Sequence, residues 1–319
     1  MTLLKIFFHD ACFDGTASAA TFGAFYRARD PGVRLAPVGM QHQLGDPFAG
    51  VAVDGDDNAC VDFRYAADPA MRWWFDHHPT AFQPPELRAD FEARAGQTMA
   101  FDPSAPSCCG LIARTLRARF GWEPPAHLAE LVRWADTIDA AAYASAEDAC
   151  GLTAPAQRLA LWVGENRDPV ATARYIDGLM TRPLDELAAA PWIQPVLQPA
   201  IARRESNREA WRRLGVTHDD VVVFDLIGTD LPAPGFSGYA LFPACTYTIS
   251  LGRSPSAVKI GVGYNPWGPR PRRHDLGALC EAHGGGGHAA VGGVTLPPGD
   301  VDHGRAVVAA ILGSLTGQP

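Results

Sequence analysis

Apolar positions follow two alternating textures along the chain. Residues 3–8 form a short apolar run ending at His9-Asp10, the pattern of a buried strand. Ala, Phe and Tyr then recur at helical spacing over 15–29, until Pro31 stops the pattern. Residues 34–38, 59–63 and 72–75 are further strand candidates, separated by loops rich in Gly, Asp and Pro. Strands alternating with helix predict an α/β domain whose mostly parallel sheet is flanked by helices and buried on both faces. From 107 onward helix dominates, with candidates at 107–120, 127–142, 154–164 and 169–180. A longer amphipathic stretch over 184–214 is interrupted by Pro191, Pro195 and Pro199. After Gly215 the texture changes again: 221–226, 245–250 and 258–262 are strand-like, 276–283 is helical, and 301–315 is a terminal helix. The pattern predicts an N-terminal domain over 1–190, a helical connector over 191–216 and a smaller C-terminal α/β domain over 217–319.

A length of 319 residues suits two domains, each able to bury a core without disulfides or a structural metal. The chain is 47% hydrophobic and 19% charged, which excludes a disordered or fibrous protein. Lys plus Arg number 27 against 35 Asp plus Glu, a net charge of −8. That balance argues against coating duplex nucleic acid through a broad basic face. It leaves a small phosphorylated substrate open, because metal ions can supply positive charge locally. Seven cysteines, none spaced C-x-x-C, point to reduced thiols in a cytoplasmic protein. The N-terminal apolar run is too short for a signal peptide and soon meets Asp10 and Asp14. No window reaches the roughly 18 uninterrupted apolar residues of a membrane span, so no membrane contact is expected.

Four stretches place His and Asp where α/β sheets usually carry their sites, at the carboxyl ends of strands. They are His9-Asp10-Ala11-Cys12-Phe13-Asp14-Gly15, Val61-Asp62-Phe63, Phe75-Asp76-His77-His78-Pro79-Thr80 and, within a helical stretch, Trp134-Ala135-Asp136-Thr137-Ile138-Asp139. Imidazole with carboxylate suits Mn²⁺, Fe²⁺ or Zn²⁺, and a carboxylate-dominated set shifts the expectation toward Mn²⁺ or Mg²⁺. Taken singly, Asp62 or Asp136 is more simply a helix cap or turn former, and an adjacent His pair is more simply surface or core. The joint occurrence carries the argument. A fifth stretch, Gly284-Gly285-Gly286-Gly287-His288, follows a helix and precedes small residues. Its glycines would let backbone N–H groups approach an anion, a following helix start would add a favourable dipole, and His288 could donate to a phosphate.

Asp76-His77-His78, placed after the first-strand motif and Asp62, resembles the DHH phosphoesterase superfamily. The Gly284–His288 run resembles the signature of the DHH-associated domain in its oligonucleotide- and cyclic-dinucleotide-cleaving branch. Together the two would cover nearly the whole chain. The resemblance implies a catalytic domain over 1–190, a substrate-binding domain over 217–319 and an active site in the cleft between them. It implies a metal-dependent phosphodiesterase, with Mn²⁺ expected, two ions rather than one, and Mg²⁺ or Zn²⁺ behind it. The metal ligands carried over are His9, Asp14, Asp62, His77 and Asp136, with Asp139 as the fallback for Asp136. Asp62 would bridge the ions. Asp76 and His78 would be catalytic groups that orient the site or face the phosphate, and Gly286, Gly287 and His288 would hold a substrate phosphate. The implied substrate is a small nucleotide, a short single-stranded RNA, or a linear or cyclic dinucleotide; a homodimer is compatible with it. The alternatives are a phosphomonoesterase acting on a nucleotide bisphosphate, and a nucleotide-binding protein whose first metal site has decayed.

Two departures from the family pattern stand out. Many members carry Asp where this chain has Cys12. Three roles are open to that thiol: a soft thiolate ligand, a neutral thiol that leaves the site weak for Mn²⁺, or a core-facing group replaced by Asp10. The second is favoured, since the other ligands are hard. The branch also commonly has an Arg-Ser pair ahead of the glycine run, where this chain reads Gly263-Tyr264-Asn265-Pro266-Trp267. Asn265 and Arg270 are therefore expected at the substrate, with Arg272, Arg273 and His274 as further cationic candidates and Trp267 as a surface for stacking on a base. Trp73 and Trp74 are expected to be packing residues, and Cys108-Cys109 to lie in the core.

Overall fold

The computed structural model describes residues 2–41 and 46–317. The chain forms two compact units, one made of residues up to Ala142 together with Leu152–Ala200, the other of Tyr143–Gly151 and the chain from Ile201 onward. In chain order the elements are β1 (Leu3–His9), α1 (Phe13–Arg29), β2 (Arg34–Met40), β3 (Asp57–Val61), β4 (Trp73–Asp76), α2 (Leu87–Arg94), β5 (Met99–Phe101), α3 (Cys108–Phe120) and α4 (Ala126–Asp139). There follow α5 (Ala146–Cys150), α6 (Pro155–Glu165), α7 (Pro169–Thr181), α8 (Leu184–Ala188) and α9 (Gln194–Leu214). The last part holds β6 (Gly215–His218), β7 (Val221–Asp225), α10 (Phe236–Leu241), β8 (Tyr247–Arg253), β9 (Val258–Tyr264), α11 (Leu276–Glu281), β10 (Gly286–His288), β11 (Val291–Leu296) and α12 (Val301–Thr316).

The first unit is built on a five-stranded sheet in the order β2-β1-β3-β4-β5, with every pairing parallel. Strands β3 and β4 are buried at every position, which explains the apolar runs Ala59-Cys60-Val61 and Trp73-Trp74-Phe75 within them. Pro37 is tolerated because β2 is an edge strand. Helix α1 is rich in Gly and Ala and buried from Phe13 to Gly23, as befits a helix enclosed by neighbours rather than lying on a surface. The tryptophans do pack. Trp74 is fully buried among Tyr65, Phe82 and Phe91, and donates from Nε1 to the Phe63 carbonyl at 3.0 Å. Trp73 donates to Asp57 at 3.0 Å. Because the strands are parallel, His9, Asp62 and Asp76 all emerge at one edge of the sheet.

The second unit holds a six-stranded sheet in the order β10-β11-β9-β8-β7-β6, antiparallel except for β7 with β8. Helix α12 covers it through Val307, Ile311 and Leu315, packed with Ile249, Leu251, Val258 and Ile260. The chain passes between the units within α9, after Ala200. Of the three prolines in 184–214, Pro191 separates α8 from α9, Pro195 lies in the first turn of α9, and Pro199 lies inside it.

One expectation is overturned here. No helix starts after the glycine run. Gly284, with φ of 76°, and Gly285 instead close α11, donating their amides to Glu281 and Cys280 at 3.0 and 2.9 Å. Gly286 to His288 then pair as a strand with β11. The glycines are required by proximity: a Cβ on Gly285 would lie 2.1 Å from the Gly293 carbonyl oxygen, and one on Gly287 would lie 2.3 Å from that of Val291. Short or polar elements such as α2, β5, α5, β6 and α10 carry no periodic signal and escape sequence reading. Among the described residues, no helix is long and apolar enough to cross a membrane.

Gly15 and Gly164 make a paired test of this packing. A Cβ on Gly15 would lie 2.1 Å from the His9 carbonyl oxygen, whereas one on Gly164, in α6, meets nothing within 4 Å. Gly15→Ala should therefore destabilise by about 3 kcal/mol. Gly164→Ala should stabilise by up to about 1 kcal/mol. Urea denaturation midpoints check both, and equal midpoints would refute the close approach of α1 to β1.

Candidate metal centre

The turn from β1 into α1 sets the first part of the site. Ala11 is held at φ 55°, in the left-handed region, and Cys12 takes the N-cap of α1 with extended backbone. Asp14, in the first turn, is 1% exposed. Its Oδ2 accepts from the Cys108 amide at 2.7 Å and its Oδ1 from the Cys109 amide at 3.0 Å. The carboxylate thus sits on the N-terminus of α3, where unpaired N–H groups and the helix dipole favour an anion. Ser107 caps that helix: its Oγ accepts from the Gly110 amide at 2.9 Å and donates to Asp136 Oδ1 at 2.5 Å.

Asp62 follows β3 in a left-handed conformation, φ 55°, which Asp and Asn tolerate better than most residues. It is 1% exposed, and neither carboxylate oxygen has a hydrogen-bond partner. His77 follows β4. Its Nδ1 lies 2.9 Å from the Ala105 carbonyl, which can only accept, so the proton is on Nδ1 and the Nε2 lone pair faces inward. That Nε2 also lacks a hydrogen-bond partner, yet lies 3.3 Å from Asp139 Oδ2, 3.6 Å from Asp62 Oδ1 and 3.7 Å from Asp14 Oδ2. His9 Nδ1 lies 3.6 Å from the other oxygen of Asp62. Asp76 is fully buried, and its Oδ1 accepts from the His77 and His78 amides and from His78 Nδ1 at 2.7 Å. It fixes the turn that presents both imidazoles.

Among the described residues three donor groups meet here, each with ligand atoms within 4.8 Å of one another: His9, Cys12 and Asp62; Asp62, His77 and His78; Asp14, His77 and Asp139. Both Asp62 oxygens and the His77 Nε2 lone pair meet here without hydrogen-bond partners. Burial first, and then Asp14, Asp76 and Asp139, push Asp62 well above the usual carboxylate range. Burial and Asp139 raise Asp14 to about 6. Burial, Asp62 and Asp14 push the Cys12 thiol up, and the hydrogen bond to Asp76 raises His78. A divalent cation removes this penalty directly. The spacings fit ligand atoms gathered around ions with bonds of about 2.0–2.2 Å.

Of the residues singled out by sequence, His9, Asp14, Asp62 and His77 come together, with Asp76 and His78 beside them. Asp136 does not join the three groups. It is held by Ser107, and Asp139, one turn on at the end of α4, takes the place beside His77. Asp10 does not replace Cys12, because its carboxyl lies over Gly39 of β2. Sequence reasoning missed the Cys108 and Cys109 amides and the Ser107 cap. The pair is fully buried, as expected, but its backbone holds Asp14. A Ser directly ahead of the apolar helix start was the available signal.

In the second unit, His288 is exposed on β10, and a Cβ on Gly286 would meet nothing within 4 Å, so that backbone is open to approach. Gly287 is exposed too, but its close approach to β11 leaves its role structural. Asn265 is corrected by the structure. It is 1% exposed, donates to the Cys245 carbonyl at 3.0 Å and accepts from the Trp267 amide at 3.1 Å, so its side chain is consumed in holding its own loop. Arg270 and Arg273 both pair with the buried Asp220, at 3.2 and 2.9 Å. Arg272 donates to the His274 carbonyl. Trp267 packs edge-on to Phe236 and donates to the Tyr143 carbonyl, which makes it part of the fold.

No family model matches the chain, and no curated protein matches it. Solved structures do. The fold is similar to that of PggH, a pGpG-specific phosphodiesterase from Vibrio cholerae, at a TM-score of 0.69 and 18% identity over 100% of both chains. It is similar to RecJ in complex with Mn²⁺ from Thermus thermophilus, at 0.58 and 16% identity, over 98% of this chain and 52% of that one. An exopolyphosphatase-related protein from Bacteroides fragilis matches at 0.52 and 13% identity, over 99% of this chain and 93% of the other. These likenesses show the α/β fold, with a second sheet in the C-terminal part, that the DHH resemblance implies.

The raised carboxyl groups make metal binding and stability pH-dependent. In metal-free protein Asp14 holds its proton up to about 6, above its unfolded value of 3.8. Its contribution to stability is present below 3.8 and is lost as pH rises through 6. Metal-free protein should thus weaken across that window. The gain in Tm on adding Mn²⁺ should grow as pH rises through 6, because the ion competes with the proton. Thermal unfolding with chelator or Mn²⁺ on either side of pH 6 checks this, and a pH-independent gain would contradict it.

Proposed function

We propose that the chain is a DHH-type, metal-dependent phosphodiesterase that hydrolyses a very short nucleotide substrate, a linear dinucleotide before a cyclic dinucleotide or a short single-stranded RNA. The observation that carries this reading is the buried meeting of Asp62 and the His77 Nε2 lone pair, without hydrogen-bond partners, at the carboxyl ends of parallel strands. The likeness to a pGpG-specific phosphodiesterase over the whole of both chains supports a dinucleotide. RecJ from Thermus thermophilus has been solved with Mn²⁺ and with Mg²⁺, which supports Mn²⁺ first and Mg²⁺ behind it. Bound divalent ions supply the positive charge that polarises a phosphoryl group and acidifies water.

The chain's own residues then have separate roles. Asp62 turns one oxygen toward His9 and the other toward His77 and His78, which suits a bridge between two ions. Asp14, His77 and Asp139 hold one ion, with Asp139 in the place given to Asp136 by sequence. Asp76 accepts a hydrogen bond from the His78 Nδ1–H, leaving Nε2 to hold a proton beside the substrate. The raised pKa of His78 favours the charged ring, which donates to a phosphoryl or leaving oxygen. In the second unit, exposed His288 and the open backbone of Gly286 hold a phosphate of the substrate. Seven unpaired thiols fit a cytoplasmic setting.

Stripped protein reloaded with Mn²⁺ should convert pGpG to GMP and lose that activity on chelation; activity that survives exhaustive chelation would refute the reading. Asp62→Asn keeps a residue suited to the left-handed turn and removes the charge. It should lower kcat by more than the roughly 10–100-fold typical of groups behind a ligand, with Tm held or raised. His288→Ala should raise KM more than it lowers kcat, and a pure kcat loss would move His288 into the chemical step.

A further inference from the structure

The donor groups at the strand ends are chemically unlike. Around His77 stand the carboxylates of Asp14 and Asp139, one nitrogen and two hard oxygens. Around His9 stand Asp62 and Cys12, so one place offers nitrogen, oxygen and sulfur. The sulfur does not stand alone there. Asp62 is 1% exposed, neither of its oxygens has a hydrogen-bond partner, and one of them lies within 4.8 Å of that sulfur. Cys12 is at the N-cap of α1, after the left-handed Ala11. The nearby carboxylate that could have served instead, Asp10, lies over Gly39. Other thiols near the site are turned elsewhere: Cys108 donates to the Phe75 carbonyl at 3.2 Å, and Cys109 meets Thr21 Oγ1 at 3.2 Å.

We propose that Cys12 Sγ is a metal ligand, and that with His9 and Asp62 it forms a site selective for a borderline divalent ion, Zn²⁺ or Fe²⁺, over Mn²⁺. Asp14, His77 and Asp139 form the hard site for Mn²⁺ or Mg²⁺, so the centre is heteronuclear, joined through Asp62. The inference rests on the metal-dependent reading above and replaces the weak-site role favoured by sequence. Binding exchanges the S–H bond for a metal–sulfur bond, and the proton leaves to solvent. Divalent Mn²⁺ has the lowest affinity in the first-row order for any such donor set, and a soft thiolate widens the gap to Zn²⁺.

The test reads metal, not turnover. Chelator-stripped protein is loaded with Co²⁺ and scanned for the near-ultraviolet charge-transfer absorption that a thiolate ligand gives and nitrogen and oxygen ligands do not. In parallel, stripped protein is equilibrated with equal Zn²⁺ and Mn²⁺, desalted and analysed by mass spectrometry. Cys12→Ser, whose hydroxyl suits an N-cap, and Cys12→Asp are treated alike, with circular dichroism confirming the fold. Wild-type protein should show the absorption and retain both Zn²⁺ and Mn²⁺. Cys12→Ser should lose the absorption and drop its Zn²⁺ to Mn²⁺ ratio by at least about tenfold. Cys12→Asp should take Mn²⁺ at both places. Metal bound by the wild type without the absorption, or the same ratio in Cys12→Ser, would overturn this inference alone. A wild-type protein that retains no metal would overturn the phosphoesterase reading with it.

Discussion

Buried like charge is the constraint around which the first unit is arranged. Asp14, Asp62 and Asp76 are each no more than 1% exposed, and Asp139 reaches His77 at the same edge of the sheet. Carboxylates gathered this deep take protons or repel one another unless positive charge is brought among them, and either outcome opposes the compact fold. The surroundings soften the cost for individual members. The α3 amides hold Asp14, and the His77 and His78 amides hold Asp76. Asp62 has no such support, and its two bare oxygens are where the shortage of positive charge is concentrated. A natural chain retains such a shortage where a ligand relieves it.

Several features distant in sequence follow from that constraint. Gly15 lets α1 begin close enough over His9 to bring Asp14 inward. Ser107 and Asp136 fix the start of α3, and so the amides on which Asp14 rests. Gly110 belongs to the same arrangement, since a Cβ there would lie 2.3 Å from Asp136 Oδ1. The Ala105 carbonyl sets the tautomer of His77. Asp14 and His77 therefore depend for their positions on residues outside the three donor groups, and these lie mostly between 105 and 110.

Much of this was legible in the sequence, for a simple reason. Parallel strands buried on both faces read as apolar runs, and the polar residues that end them are conspicuous: His9, Asp62, Asp76, His77 and His78 all stand at such ends. What the sequence hid depends on side-chain direction. Asp136 and Asp139 are three residues apart near the end of α4, on neighbouring positions of one face. Spacing alone cannot say which of them meets His77 and which meets Ser107. The helix start expected after the glycine run failed for a related reason: Gly284 and Gly285 close α11, and Gly285 and Gly287 are also required by backbone packed against them, so three of the four glycines answer a packing requirement that spacing does not reveal. Asn265 illustrates the same limit, because a polar side chain in a polar loop carries no mark of the loop's own need for it.

The division of labour between the two histidines follows from their Nδ1 partners. His77 donates from Nδ1–H to a neutral carbonyl, which fixes the ring without adding charge and leaves an Nε2 lone pair suited to a cation. His78 donates from Nδ1–H to the carboxylate of Asp76, which raises its pKa and favours the charged ring. A charged imidazole cannot be a ligand, but it can stand beside an anionic phosphate and return a proton. Adjacent residues of one type are therefore set up differently because one hydrogen bond ends on a peptide and the other on a buried Asp. That asymmetry is set by Asp76, whose Oδ1 also holds both amides of the turn, so the residue that shapes the loop also decides which histidine can bind metal.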